Sequence, residues 1–165
     1  MSASRRLLVF GGLALLVFSM AYGLWYALLV EHQTLDGMGG ALAGAFVHAA
    51  KGELPQARTA LQQYAGIEFV YVRQVDAHSH WGGLALVMII LGALFDRISF
   101  AERTRRFLAI ALLAGSALFP LGVLLQTVAS GRAGAILAVV GSALIVAGMF
   151  AAALGFLRKP GFAIH

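Results

Sequence analysis

The chain carries five histidines, and four of them, His32, His48, His78 and His80, fall between residues 32 and 80. Imidazole nitrogens are ligands for haem iron, copper and zinc, and a carboxylate behind an imidazole fixes its orientation. Glu31 directly precedes His32, and Asp76 opens the run Asp76-Ala77-His78-Ser79-His80. These spacings suit a cofactor site with His80 and His32 as the leading pair, His78 and His48 behind them, and Asp76 and Glu31 orienting the rings. His165, at the far end of the chain, has no such company.

Local structure decides which of these groups can converge. In a helix, residues two apart point about 200° away from each other, so His78 and His80 cannot share a metal, whereas Asp76 and His80 meet at i, i+4. In an extended segment all three face one way and chelate together. A plainer alternative is that histidines avoid the bilayer core and collect in the polar part of the chain, with Asp76 acting as a helix cap. The chain has no cysteine, which excludes disulfides, thiolate metal sites, iron–sulfur clusters and thioether-linked haem. The expected cofactor is therefore haem b, ahead of copper or zinc, with no cofactor as the remaining case.

A second pattern serves packing. Gly134, Gly141, Gly148 and Gly155 recur every seventh residue and so line one face of a helix. Glycines there let a second backbone approach closely. The sequence holds no P-loop, dinucleotide fingerprint, nucleophile elbow or H-E-x-x-H motif.

The elements that must position these residues are set by composition. Of the 165 residues, 61% are hydrophobic and 12% charged, against roughly 45–50% and about 25% in soluble domains. The chain reads as an all-α integral membrane protein: a four-transmembrane-helix bundle, one domain over 1–165, with a helical extracytoplasmic insertion between helices 1 and 2. Leu7–Val30 has 24 residues and no charge, enough at about 1.5 Å per residue to cross a core of about 30 Å. It follows Ser4-Arg5-Arg6, which loosely resembles a twin-arginine export signal, but its length and the lack of an A-x-A site mark a retained span. The expected spans are about 7–30, 77–97, 107–128 and 133–156. Pro120 should kink the third, with Ser116 compensating, and Ser130-Gly131-Arg132 should turn tightly into the fourth.

The insertion, about 31–76, should itself be helical. Leu35, Met38, Leu42, Phe46 and Ala49 recur at helical spacing in a segment too short to span comfortably, which suggests an interfacial or partly inserted helix. A second short helix should open at Pro55 and end at Gly66, with Phe69, Tyr71 and Arg73 permitting an extended stretch. Eight basic residues (Arg5, Arg6, Arg97, Arg103, Arg105, Arg106, Arg158 and Lys159) stand on one side, and Lys51, Arg58, Arg73 and Arg132 on the other. That bias puts both termini in the cytoplasm. The net charge of +5 sits at the ends of apolar runs, so nucleic acid is not an expected partner.

Ten arginines against two lysines, with abundant Ala, Gly and Leu, suggest a GC-rich bacterial source and hence a multi-pass inner-membrane protein. The expected function is redox or electron transfer at an outer-face histidine site. The alternative is a non-catalytic scaffold or accessory subunit whose glycine-rich fourth span packs on a membrane protein partner or a second copy. The lipid bilayer is a partner in either case.

Overall fold

The computed structural model describes residues 1–128 and 131–158, and these are helical with no strand among them. Helix α1 (Ala3–Leu29) starts where the Ser2 side chain accepts a hydrogen bond from the Arg5 amide at 3.2 Å. It leads into α2 (Glu31–Ala50) across a single distorted residue, Val30, at φ −123°. The hydrogen-bond ladder continues through this bend, with the Val30 amide donating to Tyr26 and the Thr34 amide to Val30. A tight tip follows, in which Gly52 takes φ +76°, a left-handed conformation that glycine adopts without steric cost. Pro55 then occupies the first turn of α3 (Leu54–Leu94).

Helix α3 is unbroken for 41 residues, roughly 60 Å at the standard rise. It neither ends at Gly66 nor becomes extended through Phe69–Arg73. The reason is tertiary. Helix α2 packs against the first half of α3, burying Ala41, Ala45 and Ala57 and setting Gly37 against Ile67. Gly66 faces open space, so its helix penalty, about 1 kcal/mol, is all that opposes continuity. Asp76 consequently sits in mid-helix and caps nothing; it pairs with Arg73 at 3.8 Å.

A 3-10 turn (Phe95–Arg97) leads to α4 (Glu102–Leu125) and then α5 (Gly131–Leu157). Four helices, α1, α3, α4 and α5, are long and apolar enough to cross a membrane; α2 is not. Ser130 and Lys159 lie outside the described residues.

The most extensive interface joins α4 to α5. Along it, a Cβ on Gly141 would lie 2.4 Å from the Phe119 amide nitrogen, and one on Gly134 2.7 Å from that of Gln126. Gly148 meets Leu112, Gly155 meets Ile98, and Gly115 and Gly122 of α4 approach the α5 backbone in return. The glycine face of α5 is thus covered within the same chain, by α4 at Gly134, Gly141 and Gly148 and by Ile98 and Phe100 ahead of α4 at Gly155. Pro120 is buried in α4, and the Ser116 hydroxyl donates to the Leu112 carbonyl at 2.8 Å. The Trp81 indole N–H reaches the Ala117 carbonyl at 3.3 Å, tying α3 to the turn that proline disturbs.

Leu8, Met88, Leu91, Phe95, Ile98, Ala109, Leu112 and Ala152 form the core near the end that holds the N-terminus. Polar contacts close that end. The Ser4 amide and hydroxyl donate to Glu102 at 2.9 and 3.1 Å, Arg105 reaches Glu102 at 3.0 Å, and Ser2 and Arg5 donate to Asp96 at 2.5 and 3.3 Å. Both carboxyls, just beyond the apolar spans, are held below their ordinary pKa. The leading cause is the Ser2 hydroxyl for Asp96 and the Ser4 amide for Glu102, with the neighbouring arginines adding to each.

Candidate functional site

The four histidines do not meet. His48 lies at the tip of the hairpin, where its Nδ1 is 2.5 Å from Glu53 Oε2. It is roughly 35 Å along α3 from His78. The small-residue side of α2 that bears His48 faces α3, not the membrane bundle. The His32 side chain is 87% exposed and touches Asp36 at 3.5 Å. It stands roughly 13 Å along the helix beyond Gly23, the residue beside His78. His80 is exposed and stacks on Phe119 of α4, with ring centroids 4.8 Å apart. Because residues 76–80 are helical, His78 points the other way, toward α1. No three His, Asp or Glu side chains are grouped to hold a metal ion among the described residues, and His165 lies outside them.

His78 is the histidine with a prepared setting. Its ring lies against Gly23 so closely that a Cβ there would be 2.4 Å from Cε1. Its Nδ1 is 3.0 Å from the Ser19 carbonyl oxygen, and the Ser19 hydroxyl donates to the His78 carbonyl at 3.0 Å. A carbonyl oxygen only accepts, so Nδ1 carries a proton, and in the neutral ring it is Nε2 that offers the lone pair. A backbone carbonyl holding one ring nitrogen is the usual way a ligating imidazole is oriented. Nε2 makes no hydrogen bond among the described residues.

His78 lines an open-sided, mainly apolar groove of about 860 Å³ between α1 and α3. Val17, Met20, Leu24 and Val75 form its walls, and Glu31 supplies its charge. Tyr26 also lines it; this residue is 6% exposed, and its ring lies 6.5 Å from that of Tyr71.

On the other side of the α1–α3 pair, Phe18, Tyr22 and Trp81 meet edge to face, at 4.9 Å for Phe18–Trp81 and 5.5 Å for Tyr22–Trp81. Tyr22 donates to the Gln74 side-chain oxygen. This aromatic layer pins the register of α1 on α3 and hence the approach of Ser19 and Gly23 to His78.

Sequence reasoning ranked His80 and His32 first and passed over Ser19, Gly23 and Tyr26. One signal was available: Ser19 and Gly23 are four apart, the small-xxx-small spacing that lets another element approach a membrane helix closely. No family model matches the chain, and neither the curated proteins nor the solved structures include one that resembles it.

Proposed function

We propose that the chain is a multi-pass membrane protein of the bacterial inner membrane that holds a b-type haem in the α1–α3 groove and takes part in electron transfer. The observation that carries this reading is His78: Nδ1 donates to the Ser19 carbonyl and Nε2 is left unpaired beside an apolar groove. A bare copper or zinc ion needs three or four protein donors. Haem brings four nitrogens of its own and needs as few as one imidazole. A single oriented histidine beside a roomy apolar groove therefore favours haem over either metal alone. The groove volume lies in the range of about 300–1,000 Å³ usual for ligand sites.

The orientation proposed with it has both termini in the cytoplasm and the α2–α3 hairpin outside. Its support is the clustering of Arg5, Arg6, Arg97, Arg103, Arg105 and Arg106 at one end of the bundle. The packing of Gly134, Gly141 and Gly148 on α4 gives less support to the scaffold reading, which assigned that face to a partner.

Titration of the detergent-solubilised chain with haemin tests the reading. A saturable Soret shift in the wild type, weakened at least tenfold in His78→Ala and unchanged in His80→Ala, is the expected result. Equal binding by wild type and His78→Ala would overturn it.

A further inference from the structure

Helices α1 and α4 run side by side in the same direction. The Ser4 amide donates to Glu102, and further along a Cβ on Gly11 would lie 2.6 Å from Leu113 Cδ1. Two open-sided hollows meet at this Gly11–Leu113 contact. The deeper one, about 480 Å³, is lined by Ala14, Leu15, Ile110, Ala114 and Ala117 and by no polar side chain. The other, about 440 Å³, lies toward the N-terminus among Ala3, Leu7 and Phe10, and Arg6 lines it as well. Neither shares a residue with the groove beside His78.

Arg6 stands five residues before Gly11, and Arg106 seven before Leu113. At the helical rise the two arginines lie roughly 8 and 10 Å to the N-terminal side of that contact, and Ala117 lies roughly 6 Å beyond it. From the arginines inward the hollows therefore run about 15 Å, the depth of one leaflet of a core about 30 Å thick. Register puts Arg106 on the groove side of α4, since Ile110, Leu113 and Ala117 follow it at i+4, i+7 and i+11. Asp96 and Glu102, the two carboxylates at this end, already accept from Ser2 and Ser4 and pair with Arg5 and Arg105. Arg6 and Arg106 are exposed and enter no ion pair among the described residues.

We propose that the α1–α4 groove binds an anionic phospholipid from the leaflet on the N-terminal side, its phosphate between Arg6 and Arg106 and one acyl chain along the hollows. Two features select this occupant. An apolar hollow open to hydrocarbon stays dry, and a lipid chain is what lies beside it. The end nearest the water carries two unpaired guanidiniums, which match the shape and charge of a phosphate and repel the ammonium of a zwitterionic headgroup. Under the orientation proposed above this is the cytoplasmic leaflet. The site stands whether or not the α1–α3 groove holds haem.

Native mass spectrometry of the detergent-solubilised chain tests this, with phosphatidylglycerol and phosphatidylethanolamine of the same acyl chains supplied in equal amounts. The wild type should retain phosphatidylglycerol about fivefold or more over phosphatidylethanolamine. The double variant Arg6→Gln, Arg106→Gln should bring that ratio below about twofold, while Arg97→Gln, at the same end but lining neither hollow, should keep it. Both lipids compete in one sample, so the ratio does not depend on how much of a variant is folded. Ala14→Phe projects a ring from an exposed position into the deeper hollow and should lower the phosphatidylglycerol adduct by about fivefold. Equal retention of the two lipids by the wild type, a preference unchanged in the double variant or lost in Arg97→Gln, or a full adduct in Ala14→Phe would each overturn the proposal.

Discussion

At the scale of single residues, His78 and His80 have the same chemistry and differ in what the helix turns them toward. His80 meets Phe119 at the bundle surface, and His78 meets Ser19 and Gly23 at a helix interface. Gly23 is present because the imidazole occupies the space of its missing side chain. Gly23→Leu should therefore displace the ring, lower melting by an amount in the overpacking range of about 1–3 kcal/mol, and abolish the Soret shift. A variant that melts like wild type and binds haemin normally would contradict this placement. Glu31 supplies a negative charge in the groove lining, which would disfavour the propionates of a haem bound there. Glu31→Gln should tighten haemin binding by up to about fivefold, about 1 kcal/mol for a partly screened charge. Weaker binding in this variant would mean that the carboxylate contributes favourably.

Among the elements, the α4–α5 interface was legible in the sequence because glycine spacing reports backbone approach directly. Gly134, Gly141, Gly148 and Gly155 needed no knowledge of the partner helix to be recognised as a packing face. Helix α3 was not legible in that way. Gly66 and the alternation around Phe69–Arg73 are local signals for a break, and the apolar match between α2 and α3 overrides them. The candidate site failed to be read for a related reason. Once residues 76–80 are helical, the sequence separates His78 from His80, but only the register of α1 on α3 shows which one meets Ser19 and Gly23. Gly141→Leu should cost about 3 kcal/mol or more in the bundle, because its Cβ would strike the backbone of Phe119, which cannot rotate away. Val140→Leu, on the exposed side of α5, should leave melting within about 0.5 kcal/mol of wild type. Equal melting of the two variants would remove the glycine face from the packing of the bundle.

For the whole molecule, the N-terminus, the 3-10 turn and the start of α4 are tied together by Asp96 and Glu102. Their folded pKa values are depressed, so both stay ionised to lower pH when folded than when unfolded. The stability they contribute is complete above their unfolded values, near pH 4, and is lost as pH falls through the lowered ones. The double variant Asp96→Asn, Glu102→Gln should flatten the acid limb of a melting-versus-pH curve, and an unchanged limb would show that other groups control it. Reporters fused near Lys51 and in the Arg103 loop should give opposite signals, outside and inside, under the proposed orientation, and identical signals would overturn it. The most direct measurement of function is the reduced-minus-oxidised spectrum of the purified protein with each of His32, His48, His78 and His80 replaced by alanine in turn. A haem b difference band lost in His78→Ala and retained in the other three is the predicted result. A band that survives in His78→Ala, or no band in the wild type purified from haem-replete cells, would contradict the assignment.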